Sequence, residues 1–177
     1  MRLFHLDDCG ALLKRIESEE CSVVHDIGGG TGTLADALER CGKAVYLIDP
    51  SEAMTRVALA KNSNISVVNS EYVPGLDIPK ADVIVLRDVL HHIKSQAAVL
   101  DCCYGYLSDN GRILIQDFNP KSLSARMLLV FERCCFERVY PIWPERLKEL
   151  STERGMAAEL MELSPRDYMC IGRKAAT

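Results

Sequence analysis

The sequence has no apolar run approaching the roughly 20 residues a membrane-spanning helix needs, and residues 1–8 lack the apolar centre of a signal peptide. Positive charge is not in excess. Lys plus Arg number 21 against 25 Asp plus Glu, a net charge of −4, so no broad positive field exists to hold a nucleic-acid backbone. Eight cysteines are present (Cys9, Cys21, Cys41, Cys102, Cys103, Cys134, Cys135 and Cys170), yet none forms a C-x-x-C and their spacing is not that of zinc ligands. Several fall on apolar faces, where a thiol acts as a small hydrophobe and fits a reducing compartment. No internal repeat or low-complexity linker divides the chain. These absences point to a cytoplasmic protein without membrane, nucleic-acid or metal partners. With 177 residues, 48% of them apolar, there is enough chain for one compact domain over 1–177 and little for a second.

Apolar runs alternate with amphipathic stretches, the pattern of an α/β fold. Residues 6–20 read as an opening helix and 21–27 (CSVVHDI) as a first strand that runs into a glycine cluster. Leu34, Ala37, Leu38 and Cys41 then form one helical stripe, followed by a buried strand at 44–48 (AVYLI). Ser51 is placed to cap a helix reaching about Lys61, and 65–68 reads as a third strand. The fourth is 81–86, and the helix after it carries Ile93, Ala97, Leu100, Tyr104 and Leu107 on one face. Asn110-Gly111 signals a turn before a fifth strand at 112–116. Residues 121–138 form a helical stretch with a broad apolar face, and a short helix at 144–154 has Pro at its start and Gly155 at its end. Two closely joined strands, about 157–163 and 168–172, should pair antiparallel. The expected architecture is a Rossmann-like doubly wound sheet, mostly parallel, with an antiparallel C-terminal hairpin at one edge.

Ligands of such sheets bind beyond the carboxyl ends of the strands, and the informative residues lie there. After the first strand comes Asp26-Ile27-Gly28-Gly29-Gly30-Thr31-Gly32, or D-x-G-x-G-x-G, a turn that brings backbone close to a ligand and opens a helix with unpaired N–H groups. The nicotinamide pattern G-x-G-x-x-G fits poorly, because its third glycine falls at Thr33. Asp49-Pro50 ends the second strand, and the fourth runs into Leu86-Arg87-Asp88-Val89-Leu90-His91-His92.

This combination resembles the class I S-adenosylmethionine-dependent methyltransferases, in their small-molecule branch, over about residues 23–174. The resemblance implies S-adenosylmethionine as cofactor. Gly28, Gly29, Gly30 and Gly32 would line its methionine part, Asp26 would fix the loop, and Asp49, with Pro50 beside it, would accept the ribose hydroxyls. Asn69, five residues before Pro74, or the backbone of Ser70 would meet the adenine amine, and Arg87 would also bind the cofactor. The V-L-H-H run makes His91 and His92 equal candidates for a base that removes a proton from a small-molecule acceptor. Residues 121–143 would supply the acceptor pocket, or else a homodimer interface. Two other readings use the same fold: a cofactor-binding regulatory protein without turnover, and an aminopropyl transferase, for which Asp88 gives only one of the paired acids that chemistry needs.

Overall fold

The computed structural model describes residues 9–17, 21–135 and 138–174. In chain order the elements are α1 (Cys9–Glu17), β1 (Val23–Ile27), α2 (Thr33–Arg40), β2 (Ala44–Ile48), α3 (Glu52–Lys61), β3 (Ser66–Val68) and β4 (Ala81–Arg87). A 3-10 turn at Leu90–His92 leads into α4 (Gln96–Tyr106), β5 (Leu107–Phe118), α5 (Leu123–Cys134), α6 (Pro144–Thr152), β6 (Met156–Glu162) and β7 (Asp167–Lys174). The sheet has seven strands in the order β3-β2-β1-β4-β5-β7-β6. The first five in that order run parallel, while β7 lies antiparallel against β5 and carries β6 antiparallel on its outer side. The mostly parallel sheet with a C-terminal edge hairpin is therefore present.

Central strands are apolar on both faces because helices cover both. Ile27, Ile84, Leu86 and Ile113 pack on one side with Leu100 of α4 and Leu147 of α6. Val24, Val83, Val85 and Leu114 pack on the other with Leu12 of α1, Leu34 and Leu38 of α2, and Ala58 of α3. A smaller cluster of Phe118, Ala125, Leu129 and Val139 seats α5 at the end of β5. The cysteines of the cores, Cys21, Cys102, Cys103 and Cys170, are free thiols, and burial pushes Cys102 and Cys170 up to about 11.

Three local expectations change. The buried stripe of α2 is Leu34, Ala35 and Leu38, while Cys41 is exposed beyond the helix and its thiol donates to Glu17. The helix α4 starts at Gln96, so Ile93 precedes it and Ala97 faces outward. Leu100, Cys102 and Cys103 are buried instead, and Leu107 already opens β5. Asn110-Gly111 does not end an element but sits in an irregularity inside β5, where Ala81 pairs with Leu107 and Val83 with Arg112. The opening helix is described only over Cys9–Glu17 of the 6–20 expected, and residues 136–137 of the 121–138 stretch lie outside the described residues. Among the described residues, no helix is long and apolar enough to cross a membrane.

Candidate functional site

The parallel strands end together along one edge, and the glycine loop forms the first piece of the site there. Gly28, Gly30 and Gly32 all take left-handed backbone, with φ of 66°, 54° and 69°. Their surroundings differ. A Cβ on Gly28 would sit 2.4 Å from Val89 Cγ2, and one on Gly32 would sit 2.8 Å from Ala58 Cβ, so these two let the loop pack against its neighbours. On Gly29 a Cβ would meet the Asp26 carboxylate at 2.6 Å. Only Gly30 faces open space, with its nearest neighbour, the Gly28 carbonyl, at 4.0 Å.

Two carboxylates hold this loop in different ways. Asp49, buried at the end of β2, accepts the Gly30 N–H at 2.9 Å with one oxygen and the Ser51 N–H at 2.8 Å with the other. It thereby joins the glycine loop to the start of α3, where the Ser51 hydroxyl accepts from Met54 N–H. Asp26 is buried beneath the loop with its Oδ2 lacking a hydrogen-bond partner. Burial pushes it up to about 6, and the Asp49 charge adds to this while Arg87 opposes it. Arg87, at the end of β4, thus acts on Asp26 electrostatically and does not line the cavity described next. Asn69 donates its amide to the Asp49 carbonyl at 2.9 Å, which leaves its own carbonyl oxygen as the remaining acceptor.

Beside the loop lies a cavity of about 520 Å³. Gly28, Ile48, Pro50, Ser70, Tyr72, Val73, Val89, His92, Ile93 and Val99 are among its lining residues, a mainly apolar set of the kind that takes a flat ring. Of the residues singled out in the sequence, Gly28, Pro50, Ser70 and His92 therefore line one cavity. Asp26, Gly29, Gly30, Gly32 and Asp49 build the loop next to it. The sequence reading missed Tyr72 and Val89; no spacing marks the first, and the second carries only the apolar part of the V-L-H-H run.

The two adjacent histidines part company. His91 is buried, with Nδ1 2.6 Å from Asp117 Oδ1 and its backbone N–H on Asp117 Oδ2 at 3.0 Å. Its Nε2 stands 3.5 Å from Glu132 of α5. Burial alone would lower this imidazole, but the Asp117 and Glu132 carboxylates outweigh it and raise His91 to about 10. His92 lies with its ring 4.1 Å from that of His91 and faces the cavity. Its Nδ1 donates to the Arg138 carbonyl at 3.2 Å, so in the neutral ring the lone pair is on Nε2. His91, His92 and Glu132 each bring one ligand atom within 4.8 Å of the others, a geometry that could gather a metal ion. Asp88, next to Arg87, is in the left-handed region (φ 54°) and burial pushes it up to about 7. Arg87 and His91 oppose that rise and Asp117 and Asp167 add to it, so a compact charged cluster backs the histidines.

Comparison with known proteins identifies the family and the fold. A ubiquinone biosynthesis O-methyltransferase of Xylella fastidiosa is 27% identical over 143 residues, covering 77% of this chain and 58% of that protein. The mitochondrial protein of the same description from Rattus norvegicus is 26% identical over 155 residues, covering 76% and 44%. The chain thus spans about half the length of these curated relatives. A SAM-dependent methyltransferase structure from Archaeoglobus fulgidus superposes with a TM-score of 0.77 at 18% identity, over 94% of this chain and 95% of that one, and shows the same fold. The family described as a methyltransferase domain matches residues 4–159, so the chain belongs to the methyltransferase-domain family.

Proposed function

We propose that residues 1–177 act as one S-adenosylmethionine-binding domain that transfers a methyl group to a hydroxyl oxygen of a small-molecule acceptor in the cytoplasm. One observation carries this reading: a glycine loop ordered by Asp49 and open only at Gly30 adjoins an apolar cavity walled by Ile48, Pro50, Tyr72 and Val89. That pairing of polar backbone cradle and flat apolar slot suits a ligand with an amino-acid end and an aromatic base. The start of α2 after Gly32 would hold the carboxylate end, with Gly30 leaving room for it while the Gly28 and Gly30 N–H groups stay on the Ile48 carbonyl and Asp49; Asp49 would meet the ribose hydroxyls, and the backbone of Ser70 or the Asn69 carbonyl oxygen the adenine amine. The bound cofactor supplies an already activated methyl group, so the chain's own work is alignment and proton removal.

His92 is the better base of the two histidines, because it faces the cavity and its Nε2 carries the lone pair when the ring is neutral. His91 is engaged by Asp117 and Glu132 and holds the turn in place. Residues 121–143 cover the acceptor: α5 exposes Leu123, Met127, Val130 and Phe131 along one stripe, and Trp143 is exposed beyond it. The relatives named O-methyltransferases support oxygen as the methylated atom. Transfer of labelled methyl groups to a panel of hydroxylated small molecules tests this. In an acceptor that reacts, His92→Asn should slow turnover by about 10²–10⁴ with cofactor affinity near wild type. Cofactor binding without transfer to any hydroxyl would favour a regulatory binding protein instead.

A further inference from the structure

Between β3 and β4 the chain crosses the sheet through residues 69–80 without a helix. A crossover of this kind is usually docked by the apolar stripe of a helix, so an irregular one depends on individual side-chain fastenings. Residues 70–74 of this same segment line the cavity.

Two fastenings come from residues the proposed reaction does not use. His25 is buried in β1, on the face of the sheet that packs against α4 and α6, and its Nδ1 lies 2.9 Å from the Tyr72 hydroxyl. The rings of Tyr46, Tyr72 and Tyr106 surround it at centroid distances of 5.6, 5.9 and 6.0 Å. Tyr106, at the end of α4, donates its hydroxyl to the Leu76 carbonyl at 3.1 Å. The segment is thus pinned at two points by one aromatic cluster.

Both partners of the first pin are uncharged near neutral pH. Burial pushes His25 down to about 4, and a backbone interaction with Pro79 offsets this only in part, so the ring is neutral near pH 7. Burial also raises the Tyr72 phenol far above its ordinary range, so it keeps its proton. The bond thus joins two neutral groups, and the tautomer of the ring sets which of them donates. Packing alone does not call for a histidine here. An apolar residue would fill the same place in a buried parallel strand without a polar atom to satisfy.

We propose that His25 and Tyr72 form a clasp that positions the 69–76 segment as the purine wall of the cofactor cavity and so sets the selectivity for the cofactor's base. His25 is a positioning residue that acts through Tyr72, which itself lines the cavity, and the proposal rests on the cofactor reading above.

Calorimetry with S-adenosylhomocysteine and with its 6-oxo counterpart, S-inosylhomocysteine, tests it alongside thermal unfolding. In Tyr72→Phe the histidine loses its partner, and the affinity for S-adenosylhomocysteine should fall about tenfold, with the preference over the inosine form shrinking and the unfolding temperature dropping. The double variant His25→Leu/Tyr72→Phe removes both polar partners, which should restore most of the stability but not the base preference. A double variant that regains the wild-type preference together with its stability would overturn the clasp, as would an unchanged preference in both variants. If the wild-type chain binds neither ligand, the cofactor reading fails and the clasp with it.

Discussion

Neighbouring glycines of one loop should fail in different ways when each gains a methyl group. In Gly29→Ala the new Cβ would lie 2.6 Å from Asp26 Oδ2 and 2.8 Å from Leu47 Cγ, both in tightly packed surroundings. Overpacking of that kind costs about 1–3 kcal/mol, and each kcal/mol shifts the midpoint of a domain this size by roughly 2–4 °C. Gly30→Ala meets no neighbour, but its backbone at φ 54° is left-handed, at a cost of about 1–2 kcal/mol for an L-residue. Both variants should therefore melt several degrees lower. Binding should separate them. The methyl at Gly30 stands in the open space that the ligand's carboxylate end is proposed to enter, so overpacking against it should weaken S-adenosylmethionine by at least about tenfold. Gly29→Ala, once folded at low temperature, should bind within about threefold of wild type, since its methyl points into the protein. Differential scanning fluorimetry and titration calorimetry at 10 °C read the two effects independently. Wild-type affinity in Gly30→Ala would refute the idea that the loop backbone approaches the ligand there.

Two further outcomes follow from the charged groups. Asp49→Ala removes an acceptor proposed for the ribose hydroxyls; loss of one hydrogen bond to a carboxylate costs about 1.5–3 kcal/mol, so cofactor affinity should fall by at least roughly 10- to 150-fold by calorimetry. An unchanged dissociation constant in a folded variant would take Asp49 out of the site. His91 is raised from 6.5 to about 10 in the fold, so its contribution to stability is full below about pH 6.5 and fades as pH rises through about 10. Nitrogen NMR of the imidazole should show it protonated at pH 8, and wild type should lose its stability advantage over His91→Gln between pH 7 and 10. Ordinary titration near 6.5 would refute the ion-paired assignment.

Where structure is set locally, the residues announce it. The run 44–48 became β2 at its expected bounds, and Ser51 caps α3 as its position before an amphipathic stretch implied. The hairpin of β6 and β7 was legible from two apolar runs around Ser164-Pro165, Asp26 and the glycines form the turn out of β1, and Asp49 follows β2. What the sequence left open depends on contacts between distant segments. Nothing at positions 91 and 92 distinguishes the two histidines; the difference is made by Asp117, 26 residues away on β5, and by Glu132 on the buried side of α5. Glu132 itself hides in a helix that reads as apolar and is buried because His91 is there to receive it. Likewise, residues 69–80 carry no periodicity, and only the folded sheet brings His25 and Tyr72 together.

The most direct test of the account is a crystal structure of the chain with S-adenosylhomocysteine. The ligand's carboxylate should lie on the Gly28–Gly32 loop, its ribose at Asp49 and its adenine in the cavity between Ile48, Tyr72 and Val89. Electron density for the ligand anywhere else, or none at millimolar concentration, would contradict it.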